Sequence, residues 1–139
     1  MGIRTKNLQH VNLPLRYNGT MSASFLHRDI AMIPFDGKIS NVVATCAAGG
    51  TGATNNIMDV HLNGTTIFAG AVKITLAATT GVASYSTLSS QPLSVTAGSV
   101  LTLDCDQAAT NATDALVLVT VTRTGIVTET NTTALDDVL

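Results

Sequence analysis

Little of this chain is charged and almost none of it is aromatic. Of its 139 residues 12% are Asp, Glu, Lys or Arg, 4% are aromatic, and there is no Trp. Sugar-binding modules often stack sugar faces on Trp or Tyr, and readers of single-stranded nucleic acid stack bases on rings, so the shortage disfavours both classes. A net charge of −2 excludes a chain that is basic throughout, and nucleic acid is not an expected partner. Two cysteines, Cys46 and Cys105, are too few for a disulfide-built scaffold. No apolar run reaches the roughly 18 residues of a membrane-spanning helix, so no membrane partner is expected. The opening MGIRTKNLQH lacks a continuous apolar segment after its basic residues, so no secretion leader is expected there, and Lys6 stands where a myristoylation start usually has Ser or Thr.

The few charges are unevenly spread. Residues 1–28 hold Arg4, Lys6, Arg16 and Arg28 and no acid; residues 125–139 hold Glu129, Asp136 and Asp137 and no base. The blocks either steer contacts with neighbouring subunits or are solvated ends.

What is abundant is threonine, 22 residues, with Ala, Val, Leu and Ile beside it. β-Branched side chains lose χ1 freedom in helices and suit a pleated surface, so the composition favours strands. The length fits one domain with a sizeable core. Residues 1–20 show no sustained period and are punctuated by Pro14 and Asn18-Gly19; they read as an extended arm, ordered by a partner or by the domain surface. Residues 21–125 read as a succession of strands, and residues 126–139 as a flexible tail whose last apolar residues dock on a neighbour. The extended stretches 22–27 and 29–34 come first, then a turn at Phe35-Asp36-Gly37. Residues 38–46 should place Val42, Ala44 and Cys46 on one face and Ile39, Asn41, Val43 and Thr45 on the other. After the small-residue loop 47–56, Met58, Val60 and Leu62 point inward, Asp59 and His61 outward. Asn63-Gly64 then predicts a hairpin, because both central residues of a type I′ turn need positive φ. Further strands are read at 73–76, 82–89 and 92–96. A turn at Ala97-Gly98 precedes 100–105, with Leu101, Leu103 and Cys105 inward and Thr102 and Asp104 outward. Residues 115–124 close the series with its most hydrophobic strand, apolar on both faces early on, which suits a central position or a subunit contact.

Strands that recur at short intervals with turn signals between them, and no sustained helical stripe, predict an all-β domain: a jelly-roll-like β-sandwich of about eight antiparallel strands. Both cysteines fall in predicted strands, where packed thiols are favoured over a bridge that would need suitable Cα spacing.

Candidate chemistry is thin. Gly49-Gly50-Thr51-Gly52 lacks the Gly-Lys-Ser/Thr and the helix that cradle a phosphate, so a flexible loop is the better reading. His10, His27 and His61 have no close pairing, and an inward Cys105 with an outward His61 argues against zinc. Asp104 and Asp106 offer two carboxylates on one strand face, to which Asp59 and Asp114 could add oxygen donors, but no loop has calcium-binding spacing and the Asp104/Asp106 pair reads as solvated. No serine sits in G-x-S-x-G. Asn18, Asn63, Asn111 and Asn131 head N-x-[ST] sequons that Asn-rich turns explain. No catalytic, cofactor or metal residues are expected, and the chain does not read as an enzyme.

The stretches IPFDGKISNVVATCAAGGTGATNNIMDVHLNGTTI, PLSVTAGSVLTLDCD and DALVLVTVTRTGIV, spread over residues 33–127, give the chain a family-like order. A Pro-Phe-Asp-Gly-Lys-Ile run enters a strand, followed by a Gly-rich loop, D-V-x-x-N-G-T-x-I, V-x-A-G-S-x-L-x-L-D and a Val-rich closing strand. In this it resembles the capsid decoration (cement) proteins of tailed bacteriophages. The resemblance implies a jelly-roll sandwich on the outside of a virion, assembled in the bacterial cytoplasm, that binds where major capsid protein subunits meet. It also implies a homo-oligomer, trimer or dimer, with no cofactor. Two alternatives accompany it: the base of a head fibre or tail appendage, and a carbohydrate-binding sandwich module.

Overall fold

The structure is a computed structural model and describes residues 9–23, 29–69, 73–78, 82–83 and 93–124. Those residues contain ten strands and no helix. The strands are β1 (His10–Thr20), β2 (Asp29–Met32), β3 (Gly37–Ala48), β4 (Asn56–Leu62), β5 (Thr65–Thr66), β6 (Ile74–Leu76), β7 (Val82–Ala83), β8 (Leu93–Val95), β9 (Val100–Gln107) and β10 (Thr113–Arg123).

Their pairing is nested. β4 pairs β5 across Asn63-Gly64, β3 pairs β8, β2 pairs β9 and β1 pairs β10, all antiparallel. The chain is thus one long hairpin ribbon that is rolled up, and rolling adds the lateral pairs β3·β10 and β4·β9. Two sheets result: β1-β10-β3-β7, with β8 also on β3, and β2-β9-β4-β5, with β6 also on β4. This is the jelly-roll sandwich expected from the sequence, with two of its eight strand positions split into short pairs of segments.

The tip of the ribbon forms as predicted: Asn63 has φ 50° and Gly64 φ 89°, the left-handed pair that a type I′ turn requires. The core lies between the sheets. Leu15, Tyr17, Val42, Val117, Val119 and Val121 from one sheet meet Met58, Val60, Leu101, Leu103 and Cys105 from the other, all buried. Cys46 and Cys105 lie in different sheets and neither is in a disulfide.

Three expectations change. Residues 10–20 do not stand apart from the sandwich: they form β1 and pair with β10 along its length. Val11, Leu13, Leu15 and Tyr17 supply a period-two apolar face, and Pro14 fits because it is on an edge strand. Ile39 does not share a face with Asn41 and Val43. The register moves from Thr120↔Asn41 to Val121↔Ile39, so Ser40 is an extra residue in a β-bulge that turns both Ile39 and Val42 inward. The 47–56 loop is tied down. Thr51 N–H donates to Thr110 O at 2.9 Å, and a Cβ at Gly49 would lie 2.5 Å from Ala78 O. Gly49 and Gly50 serve close backbone approach, whereas a Cβ at Gly52 would meet nothing within 4 Å. The first eight residues of the expected arm, His27, most of the strand read at 82–89 and the tail at 126–139 lie outside the described residues.

The edge beside β1 and β2 is blunted. Asp29 accepts the Arg16 N–H of β1 at 2.6 Å and the Ile30 N–H of β2 at 2.9 Å. Pro14, two residues before Arg16 and so on the same side of the strand, has no N–H to offer. A long edge without donors at these positions resists strand addition, the common hazard of an open sheet.

Candidate functional site

The polar residues gather on the outer face of the second sheet. Asp59 of β4 and Asp104 of β9 are direct register partners, and both are buried, at 1% and 2% exposure. Like charges directly opposite on a sheet repel, so such a pair needs cations or donors around it. His61, next on the same face of β4, supplies them: Nδ1 lies 2.8 Å from Asp104 Oδ2 and Nε2 lies 3.3 Å from Asp59 Oδ2. Lys73, just before β6, reaches over with Nζ at 2.8 Å from Asp59 Oδ2 and 2.5 Å from Asp106 Oδ2. Thr66 Oγ1 on β5 donates to Asp59 Oδ1 at 2.5 Å. The hydrogen bond to Asp106, then that to Asp59, pushes the Lys73 ammonium above its ordinary pKa.

These positions overturn the reading of Asp104 as a solvated carboxylate, while Asp106 is exposed. Alternation placed Asp59 and Asp104 on the outward face correctly, but the β5–β6 region supplies Thr66 and Lys73 as a polar roof. Asp106 is an extra residue at a bulge, since the register steps from Ile57↔Gln107 to Met58↔Cys105. Asp114 is not part of the cluster. It sits at the start of β10 and accepts the Gly19 N–H at 2.7 Å. His10 is exposed on the first sheet. Among the described residues no group of three or more His, Cys, Asp or Glu is placed to hold a metal ion.

The cluster has the residue types of an acid–base site but not the connectivity. A general base needs a ring nitrogen to accept the nucleophile's proton. Both nitrogens of His61 face carboxylates instead. Its cross-strand neighbour Thr102 has a buried hydroxyl with no hydrogen-bond partner. The arrangement is an ion-pair lock that ties β4, β9 and the segment before β6 together.

A second polar lock closes one end of the sandwich. The buried amide of Asn56 donates from Nδ2 to Gly49 O at 2.9 Å and to Leu76 O at 3.3 Å, and its Oδ1 accepts the Ala109 N–H at 2.7 Å. One side chain thereby joins the loop after β3, the end of β6 and the loop before β10. Sequence reading passed over Asn56 because Asn55-Asn56 looks like ordinary turn chemistry. Asn63 and Asn111 do take turn conformations, with φ of 50° and 63°.

The two outer faces differ. On the first sheet the rows Pro14–Leu118–Val43, Arg16–Leu116–Thr45 and Asn12–Thr120–Asn41 contain no carboxylate. Beyond the cluster on the second sheet, Ile30 and Met32 stand side by side on β2 at 66% and 65% exposure. Neither thiol is poised for chemistry: burial pushes Cys46 above its ordinary pKa and Cys105 up to about 11. Compared with known proteins, the chain matches no family model, no curated protein and no solved structure.

Proposed function

We propose that this chain is a structural protein of a phage particle, a capsid decoration protein that binds the outer surface of the head and braces the contacts between major capsid protein subunits. The observation that carries the reading is how the polar side chains are used. Asp59, His61, Asp104, Lys73 and Asp106 are spent on one another, while broad, weakly charged strand faces remain for protein contact. Such faces suit association by burial of apolar and threonine-rich surface, worth about 25 cal/mol per Å² of apolar area before the costs of association. The motif order from Ile33 to Val127 supports the same reading, as does the jelly-roll topology, which recurs in capsid proteins. Jelly rolls also occur in lectins, but Tyr17 and Phe68 are buried and offer no platform for a sugar. The proposal includes a homo-oligomer, and it needs no cofactor and no catalytic residue.

Mass spectrometry of purified particles tests it. The chain should be present in many copies, in fixed ratio to the major capsid protein. Its recovery from host cytosol but never from purified particles would sink the reading.

A further inference from the structure

We infer that Asn18 is a site of spontaneous deamidation, with Asp114 as the built-in base. The register of β1 on β10 passes from Tyr17↔Ala115 to Thr20↔Thr113, so Asn18 and Gly19 together face the single residue Asp114 in a bulge. Asn18 and Gly19 are exposed. Gly19 has φ +88°, and a Cβ built on it would meet nothing within 4 Å. Its backbone N–H points at Asp114 Oδ1, 2.7 Å away.

That nitrogen is the nucleophile for the reaction an Asn-Gly pair can undergo. Gly19 N bonds to Asn18 Cγ, and its proton passes to the Asp114 carboxylate. The Cγ–Nδ2 bond breaks, the proton held by Asp114 goes to the leaving nitrogen, and ammonia departs. Water then opens the five-membered succinimide at either carbonyl, giving aspartate or isoaspartate. No co-reactant but water is consumed. A glycine after the asparagine leaves the attacking nitrogen unhindered, and a bulge frees that backbone from the ladder.

The chain carries its own control. Asn63-Gly64 is the same dipeptide in the tight turn between β4 and β5. Asn63 N–H donates to Val100 O at 2.8 Å, and its side-chain Oδ1 accepts the Val100 N–H at 2.9 Å. What separates the two sites is the carboxylate: Asp114 accepts the Gly19 N–H, and among the described residues no carboxylate accepts that of Gly64.

Folded protein is incubated at neutral pH and peptide-mapped by mass spectrometry over time, with isoaspartate read by retention. Asn18 should convert about tenfold or more faster than Asn63, and the two should approach one rate in denaturant. Asp114→Asn keeps an oxygen for the Gly19 N–H and suits the φ of 55° at this position, so the fold is retained while the base is lost. It should slow conversion at Asn18 about tenfold or more, a smaller effect than the roughly 10²–10⁴-fold of a base placed in an enzyme site. Equal rates at the two sites in the folded protein, or faster conversion in Asp114→Asn, would overturn the inference; the latter would mean that the carboxylate restrains the nitrogen.

Discussion

Replacing Lys73 with Met should destabilise the fold by about 2 kcal/mol. Removing one partner of a fully buried ion pair costs about 3–5 kcal/mol, while an exposed pair contributes only about 0–1 kcal/mol. Lys73 lies between these limits, because its side chain is 25% exposed while that of Asp59 is 1% exposed. Without the ammonium, Asp59 keeps Thr66 and His61 but faces Asp104 with less compensating charge. Urea unfolding followed by circular dichroism gives the difference, which at typical slopes for small proteins is a fall of about 1 M in the midpoint. Adding Asp59→Asn should recover part of the loss, and a double-mutant cycle should give a coupling of about 1–2 kcal/mol. The effect also has a pH signature. The folded-state pKa of Lys73 is raised above the ordinary 10.5, so its contribution is complete below pH 10.5 and is lost as pH climbs through the raised value. Cys105, raised from 9.0 to about 11, weakens the fold over an earlier alkaline window, but equally in wild type and variant. The gap between wild type and Lys73→Met should therefore close only above pH 10.5. A gap under about 0.5 kcal/mol at neutral pH, within the range of an unimportant surface pair, would refute the reasoning, as would a gap unchanged by alkali.

Asn56→Leu should cost about 3–5 kcal/mol in the same unfolding assay, because it strands the buried Gly49 carbonyl and Ala109 N–H, each worth about 1–3 kcal/mol when unsatisfied. Gly50→Ala should cost more than Gly52→Ala. Both have positive φ, but only at Gly50 does the added Cβ meet backbone, 2.6 Å from Thr110 O, and equal losses would contradict the close-approach argument. In native protein at pH 8, an alkylating reagent should label Cys46 before Cys105, which is fully buried with a thiol pKa of about 11, and both should react together in urea.

The ribbon tip, β9 and β10 were legible because each carries a local signal. Asn63-Gly64 demands a I′ turn, Leu101, Leu103 and Cys105 alternate cleanly, and the doubly apolar start of β10 suits a strand flanked by β1 and β3. Bulges were not legible. Ser40 and Asp106 each insert one residue, and nothing in a period-two pattern marks where the phase slips. β1 did carry a signal, the alternation of Val11, Leu13, Leu15 and Tyr17, but Pro14 in its middle masks it unless an edge position is assumed. The polar cluster fell furthest out of reach. The outward placement of Asp59 and Asp104 follows from alternation. Their burial depends on β4·β9 register and on Lys73 arriving from a segment 14 residues later, and both are products of the rolled topology.

An image of labelled particles tests the proposed role most directly. Antibody to this chain, or a particle reconstruction, should place it in regular array over the facets of the head, at positions where capsid subunits meet. Signal confined to vertices or to the tail would contradict a bracing role, and particles without signal would contradict the proposal altogether.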